Sequence, residues 1–170
     1  MNQFEQVKTT YNEMLTDRGF SLSGLLNEEH QLYDNDDKQI VIFKNDLDKL
    51  NIDYIKEYIK ILSDNKLKHA LIIYKNEITP SAKKVIQNLF QFTIEMFKVD
   101  ELMFNLTKHR LYNKHIRLNE DSKKDFIKKY GVQIPIILVT DPVSRYFNFK
   151  KGDIIKIERK NDVVSYRIVK

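Results

Sequence analysis

Two short apolar runs on either side of a stretch with helical periodicity restrict the fold more than any other feature of this sequence. Residues 39–43 and 70–74 have the length and composition of buried strands. Asn51 can cap a helix between them. The apolar positions of that helix recur at helical spacing, at Ile52, Ile55, Ile59 and Leu62. Strand, helix and strand at this spacing predict a βαβ unit with parallel strands and a right-handed crossover.

The remainder of the first hundred residues is expected to supply two further helices. Apolar positions from Phe4 onward predict one over residues 3–18, ending at Gly19. Thr79 and Pro80 are typical of the N-cap and first position of the other. Its apolar face is predicted to comprise Val85, Ile86, Leu89, Phe90, Ile94 and Phe97. The acidic stretch 27–38 is expected to be a loop, and residues 102–106 a strand.

The second half is predicted to form a smaller unit that ends in a β-hairpin. Asn119 opens a helix with Phe126, Ile127 and Tyr130 on its inner face, and Gly131 closes it. Residues 135–139 predict a buried strand, and residues 154–159 and 163–169 predict the hairpin. We therefore expect a combined α/β and α+β fold. A βαβ-based α/β domain over residues 1–100 precedes a small mixed α+β module over residues 101–170.

A short segment before the hairpin contains several residues that are typical of helix ends and turns. Asp141 and Pro142 are typical of an N-cap and first helical position, and Asn148 can adopt the left-handed backbone that ends such a helix. Lys151, Gly152 and Asp153 predict a turn into the next strand. The apolar anchors are expected to be Phe147 and Phe149.

Two interpretations remain open for Arg145 and Tyr146 in this segment. Both residue types are enriched at the energetic centres of protein interfaces. Alternatively, Tyr146 lies in the core and Arg145 pairs with Asp141, four residues earlier on one helix face. Both interpretations can hold together.

Charge is unevenly distributed along a chain whose net charge is +5. Residues 101–170 contain 16 Lys and Arg against 8 Asp and Glu, so the first hundred residues are net acidic. A basic half can face nucleic acid or an acidic protein surface, although charge alone favours a solvated face. Cysteine is absent, which excludes disulfides and thiolate metal sites and fits an intracellular protein. No apolar run approaches the length of a membrane span, so no membrane partner is expected.

The sequence contains no recognisable catalytic apparatus. Its 4 glycines do not cluster, which excludes a glycine-rich phosphate loop, and the spacing of His109 and His115 matches no helical zinc motif. One enzymatic alternative is a small Mg²⁺ nuclease using Asp141, Glu158 and Lys160. So short a pattern is expected by chance in a chain this rich in charge. We therefore expect no catalytic residue, no metal and no cofactor.

The start of the helix after residue 78 is the second candidate site. A helix N-terminus offers free backbone N–H groups and partial positive charge, to which two lysines add full charges. A DNA or RNA phosphate could bind there without sequence preference. The candidate residues are Thr79, Pro80, Ser81, Ala82, Lys83 and Lys84. The alternatives are an ordinary capped helix with solvated lysines, and a free-standing nucleic-acid-binding regulator.

Several motifs in the same order resemble one family, the shared RNA polymerase subunit called subunit five in eukaryotic nuclear polymerases, together with its shorter archaeal counterpart. The strongest match is the run DPVSRYF at residues 141–147, followed by KKGDIIKIER at 150–159 and SYR at 165–167. Leu106-Thr107-Lys108-His109 with His115 forms a second match. Residues 14–20 and 78–83 resemble the N-terminal domain found in eukaryotic members. The resemblance therefore covers nearly the whole chain.

The resemblance implies a non-catalytic subunit. In the family the C-terminal module docks on the largest polymerase subunit, and the N-terminal domain forms part of the lower jaw near downstream DNA. The implied docking residues here are Asp141, Pro142, Val143, Arg145, Tyr146, Lys151, Gly152, Arg159, Tyr166 and Arg167. The implied DNA-proximal turn is the segment from Thr79 to Lys84. Other polymerase subunits and non-specifically contacted downstream DNA are the implied partners.

The chain also departs from the family pattern. Asn148 replaces the usual glycine, residues 134–137 lack a usual arginine, and the final hairpin has a shorter loop at residues 160–162. A short, Asn-, Ile- and Lys-rich chain with a eukaryote-like layout suggests a polymerase of a large DNA virus. The expected location is the nucleus for a cellular protein, or a cytoplasmic virus factory or virion for a viral one.

Overall fold

The computed structural model describes residues 3–170, and side chains from Glu5 onward. The expected packing of Phe4 therefore lies outside the described side chains. The chain divides into two compact units, of which the first ends at Phe104 and the second spans Asn105–Lys170. The sequence had predicted a boundary after residue 100. Both units contain helices and sheets, which confirms the predicted mixed fold class.

The first unit is built on a five-stranded sheet. Its helices are α1 (Gln3–Asp17), α2 (Ile52–Asp64) and α3 (Pro80–Gln87). Its strands are β1 (Ser21–Leu26), β2 (His30–Asp34), β3 (Gln39–Asn45), β4 (Lys49–Leu50), β5 (His69–Tyr74), β6 (Glu77–Ile78) and β7 (Thr93–Lys98). The large sheet has the order β1-β2-β3-β5-β7, and β4 pairs with β6 separately. A 3₁₀ turn, Val99–Leu102, follows β7.

The predicted strand–helix–strand unit forms the centre of this sheet. β3 and β5 pair in parallel, with Ile40 opposite His69 and Phe43 opposite Ile72. α2 connects them, capped as predicted by Asn51, whose side-chain oxygen accepts the Asp53 amide at 2.9 Å. Both strands are buried along most of their length because helices cover both faces of the sheet.

The two faces of the sheet are covered by different helices. On one face α2 and α3 enclose a core that includes Phe43, Ile55 and Ala82, and the Phe43 and Tyr58 rings stack at 4.2 Å. On the other face lies α1, whose Tyr11 ring meets Tyr33 of β2 edge-on at 6.5 Å. Burying large apolar side chains on both faces supplies the main driving force for folding of this unit.

Three predictions for the first unit are wrong. The acidic stretch 27–38 is not a loop, because β2 lies within it and pairs antiparallel with β1. The third helix ends at Gln87, so Ile94 and Phe97 belong to β7 and Phe90 is 92% exposed. Residues 102–106 are not a strand. The first 3₁₀ turn ends at residue 102, a bend follows, and a second 3₁₀ turn begins at residue 106. Apolar residues at such spacing are compatible with a continuous helix and with a helix followed by a strand. Pairing of the strand with its neighbour in the sheet decides which of the two forms.

The second unit contains a four-stranded sheet and two helices. The helices are α4 (Glu120–Tyr130) and α5 (Pro142–Phe147), and the strands are β8 (Lys114–Arg117), β9 (Ile136–Ile137), β10 (Ile154–Glu158) and β11 (Val164–Val169). The sheet order is β8-β10-β11-β9. β10 and β11 form the predicted hairpin, joined through Lys160–Asp162, where Asn161 has φ of 68°. A 3₁₀ turn, Leu106–Lys108, precedes the sheet.

The segment around α5 has the predicted local structure. The Asp141 carboxylate accepts the Val143 amide at 2.9 Å, and Pro142 occupies the first position. Asn148 ends the helix in the left-handed conformation, with φ of 53°. Gly152 has φ of 87°, which a side chain would strain, and its amide donates to the Val169 carbonyl at 2.9 Å. Phe149 is buried with Ile155 and Ile157 of β10.

Two details of the second unit differ from prediction. The strand predicted over residues 135–139 is only the two-residue β9, in which Ile136 is exposed and Ile137 is buried. It lies at the sheet edge, where a strand pairs on one side only and needs little apolar sequence. The α4 prediction is confirmed at its capping residue Asn119 and at the buried Phe126, but Tyr130 is exposed.

Candidate functional site

Strand register brings two arginines of the second unit onto one face of its sheet. Ile155 of β10 lies between Arg117 of β8 and Arg167 of β11, so all three side chains share a face. The same face carries Phe149 and α5, which pack on Ile155. Arg167 donates from Nη1 to the Ile136 carbonyl at 3.1 Å, which directs its guanidinium toward β9.

Electrostatic coupling at His115 identifies the remaining members of this cluster. Burial lowers the pKa of the His115 imidazole, and the charges of Arg167 and Arg159 lower it further. The Asn113 carbonyl, 2.6 Å from Nδ1, and the Asp141 carboxylate act in the opposite direction. Asp141, Arg159 and Arg167 therefore each lie within electrostatic reach of His115, although the four residues come from separate stretches of sequence. We call these four residues the arginine cluster.

The opposite face of the sheet carries another predicted docking residue. Tyr166 lies opposite Lys156, one position out of phase with Ile155, and its ring is 4.6 Å from the Phe126 ring of α4. Tyr166 and Arg167 consequently belong to different faces and do not form one continuous patch.

The other predicted docking residues have distinct positions. Tyr146 is 2% exposed, which supports its interpretation as a core residue, and Val143 packs on the core beside it. Pro142 and Lys151 are exposed, and Gly152 forms the turn before β10. Arg145 is half-buried, and its amide donates to the Asp141 carbonyl at 2.9 Å. The local structure of this segment followed from the sequence, but the exposure of its individual side chains did not.

The residues of the nuclease alternative have structural roles of their own. Asp141 caps α5, and Glu158 accepts a 2.8 Å hydrogen bond from the Lys156 ammonium. Within residues 3–170 there is no group of three or more His, Cys, Asp or Glu side chains placed to hold a metal ion.

The start of α3 has the predicted capped geometry. The Thr79 hydroxyl accepts the Ala82 amide at 3.3 Å, and Pro80 follows the cap. Ala82 is fully buried in the core of the first unit, so it supports the turn and is not available to contact DNA. Ser81, Lys83 and Lys84 are exposed, and neither lysine forms an ion pair with any described residue.

A buried ion-pair cluster in the first unit was not predicted as a site. Arg18, just after α1, donates from both terminal nitrogens to the Glu95 carboxylate of β7, at 2.9 Å each. The His69 Nε2 lies 2.6 Å from the same carboxylate. The side chains of Arg18 and Glu95 are only 5% and 11% exposed. Two sequence features could have indicated this ion pair. Arg18 lies within the motif at residues 14–20, and Glu95 is an acid in an otherwise apolar run.

The Glu95 carboxylate is ionised in spite of its burial. Burial alone would raise its pKa, but the hydrogen bond from His69 and the charge and hydrogen bonds of Arg18 outweigh this effect, so the pKa of Glu95 is lowered. A lowered folded-state pKa means that ionised Glu95 stabilises the fold at a pH above its unfolded pKa. That contribution is lost as the pH falls through the folded value.

We expect Glu95→Gln to flatten the acid side of the stability profile. Wild-type protein should lose stability from about pH 4.3, the ordinary pKa of an unfolded glutamate, downward through the folded value. Urea denaturation at closely spaced pH values, monitored by hydrogen exchange of the β5 amides, measures the dependence of stability on pH. Glu57→Gln, an exposed acid on α2, should keep the wild-type dependence. Parallel profiles for Glu95→Gln and wild type would contradict the expectation.

In residues 3–170 no helix is long and apolar enough to cross a membrane.

Comparison with known proteins identifies relatives for both units. Residues 104–169 match the family model described as RNA polymerase Rpb5, C-terminal domain. The chain is 29% identical over 192 aligned positions to "DNA-directed RNA polymerases I, II, and III subunit rpabc1" of Dictyostelium discoideum, covering 99% of this chain and 98% of that protein. It is 34% identical over 138 positions to "DNA-directed RNA polymerase subunit 5-like protein 1" of Arabidopsis thaliana, covering 76% of this chain and 66% of that protein.

Among solved structures, a crystal structure of a protein of unknown function superimposes with a TM-score of 0.42 at 9% identity, over 76% of this chain and 78% of that one. So low a score carries no argument about fold or function. The family model spans the motifs at residues 106–115, 141–159 and 165–167, and the match to the Dictyostelium protein extends over the first unit as well. The chain belongs to the RNA polymerase subunit five family, whose C-terminal domain its second unit contains.

Proposed function

We propose that this chain is a non-catalytic subunit of a multisubunit DNA-directed RNA polymerase. Its second unit docks on the largest subunit, and its first unit lies near downstream DNA. The Dictyostelium relative that covers 99% of this chain is named as a subunit of such polymerases. The assignment implies an intracellular protein, nuclear if it is cellular, and a virus factory or virion is the counterpart for a viral source. The catalytic residues and the metal ion would belong to other subunits.

The arginine cluster is the observation that carries the docking proposal. Register places His115 and Arg167 on the Ile155 face of the sheet, and Asp141 and Arg159 lie within electrostatic reach of His115. All four residues belong to the segment that matches the family model. Arginine is suited to recognising carboxylates on a partner because its planar guanidinium donates two parallel hydrogen bonds. Arg159 is exposed and so available for such a contact.

We expect Arg159→Glu to reduce recovery of the largest polymerase subunit at least about tenfold, because reversing a charge at an interface replaces attraction by repulsion. Tagged protein expressed in its native cells and purified by affinity, with large subunits quantified by mass spectrometry, measures this recovery. Arg159→Lys should retain part of it. Lys160→Glu, the same change at the neighbouring exposed position, is the matched control.

The docking proposal fails if wild-type protein never brings down large polymerase subunits, or if Arg159→Glu and Lys160→Glu behave alike. Cleavage of plasmid DNA by the purified chain with Mg²⁺ or Mn²⁺, abolished by Glu158→Gln, would instead support the nuclease alternative. Tight DNA binding by the isolated chain would support a free-standing regulator.

The start of α3 supports the DNA-proximal part of the proposal. Exposed Ser81, Lys83 and Lys84 stand beside a capped helix N-terminus, where backbone dipoles favour a phosphate. We expect the double variant Lys83→Glu/Lys84→Glu to reduce crosslinking to downstream DNA several-fold while large subunits are still recovered. Lys56→Glu/Lys60→Glu, exposed on α2, is the matched control. Unchanged crosslinking in the α3 variant would remove this claim.

A further inference from the structure

β1 forms an outer edge of the five-stranded sheet. It pairs with β2 on one side, and among the described residues no strand pairs with its other side. Proteins usually protect such an edge with lysine, proline or a very short strand. β1 has six residues, Ser21–Leu26, with neither lysine nor proline among them, and five of them are exposed.

A β-bulge in this strand places two leucines on the same face. The register shifts between Leu22 and Gly24, and the Ser23 hydroxyl closes the bulge by donating to the Leu32 carbonyl at 3.0 Å. Residues three apart in a regular strand point to opposite faces, but the extra residue restores the phase.

Cross-strand partners show which face the leucines share. Leu22 lies opposite Tyr33 and Leu25 opposite Gln31, and both partners contact Tyr11 of α1. Leu22 and Leu25 are therefore on the α1 face, yet they are 57% and 60% exposed because α1 does not cover them. The sheet consequently has an open edge with two exposed apolar side chains beside it.

The charge around this edge is strongly acidic. Acidic residues occupy the turn of the β1–β2 hairpin and the stretch that follows β2, at Glu28, Glu29, Asp34, Asp36 and Asp37. Lys38 is the lone cation of residues 21–38. Pairing with a second copy would bring two acidic hairpins together, which like-charge repulsion disfavours. Lys44, on the α1 face of β3, holds its ammonium 5.5 Å from the centre of the Tyr11 ring, so it does not neutralise the hairpin turn.

We propose that the β1 edge binds an extended segment of another protein, with alternating basic and apolar residues, which adds to the sheet as a sixth strand. The backbone of that segment pairs with Ser21–Leu26. Its apolar side chains cover Leu22 and Leu25, and its basic side chains face Glu28 and Glu29. The inference does not depend on the polymerase assignment.

A labelled ten-residue peptide of alternating lysine and valine tests the proposal against the full-length chain at low salt. We expect saturable binding, weakened by added salt, with chemical-shift changes concentrated at the amides of residues 21–26. One control peptide replaces alternate valines by proline, which removes the amides that pair. A second control peptide replaces lysine by glutamate. Neither control should bind comparably.

Two variants separate the apolar and the charged contributions. Leu22→Ser/Leu25→Ser should weaken binding about tenfold, because each exposed leucine loses apolar area that binding would bury. Glu28→Lys/Glu29→Lys should also weaken binding and remove most of its salt dependence. Equal binding of either control peptide, shifts centred on residues 93–98 or on the second unit, or a dimer of the chain that blocks the peptide would overturn the proposal.

Discussion

Replacing Arg18 by methionine should lower the free energy of unfolding of the first unit by about 3–5 kcal/mol. Methionine fills part of the same volume but leaves the Glu95 carboxylate buried without its bidentate partner. The energetic cost comes mainly from this buried charge, which would keep only its contact with His69, since a buried ion pair contributes little net stability when both partners are present. A loss of this size is a large fraction of the roughly 5–15 kcal/mol typical of a folded domain.

Urea denaturation followed by hydrogen exchange of the buried β5 amides measures this effect within the first unit. Lys98→Met is the matched control, because the Lys98–Asp100 pair of the first unit is accessible to solvent and its removal should leave the stability of that unit close to wild type. The double variant Arg18→Met/Glu95→Leu should recover much of the lost stability, since neither charge remains. Equal losses in the single and double variants would contradict the assignment of the cost to the stranded carboxylate.

Replacing Phe149 by alanine should destabilise the second unit by about 3–5 kcal/mol. Phe149 is buried with Ile155 and Ile157, and its ring stacks on Phe147 at 5.5 Å. Removing the ring loses its burial and leaves a cavity that the short α5 cannot readily fill. A unit of this size is only marginally stable, so we expect the second unit to be unfolded in most molecules at about 37 °C.

Hydrogen exchange resolved by segment should show rapid exchange across residues 105–170 in the Phe149→Ala variant. Phe90→Ala makes the same chemical change at a side chain that is 92% exposed, and its effect should stay within about 0.5 kcal/mol. A similar stability loss in both variants would contradict the assignment of the loss to burial of the Phe149 ring. Under the proposed function, Phe149→Ala should also abolish recovery of the large polymerase subunits.

Local features of the fold followed directly from the sequence because the groups that create them are neighbours in the chain. Asn51, Thr79, Asn119 and Asp141 all cap helices through side-chain oxygens that accept amides two or three residues later. The left-handed Asn148 belongs to the same class of prediction. In each case residue type and spacing alone limit the backbone to one conformation.

The β1–β2 hairpin was missed because its local signals are weak. Its turn uses left-handed Asn27 and Glu28, with φ of 52° and 61°, where a glycine would have marked the turn. β1 does not alternate between apolar and polar residues, because its bulge breaks the phase and both its faces are exposed. Pairing with β2 makes it a strand, and that pairing is a tertiary effect.

The sequence by itself determined the family, the mixed fold class and the helix caps. Only the tertiary structure decided which charged side chains meet. Arg18 and Glu95 are 77 positions apart, and His69 is 26 positions from Glu95. The arginine cluster likewise depends on the register of β8, β10 and β11. Such contacts are fixed by strand pairing and helix packing across the whole unit, and no window of sequence contains both partners.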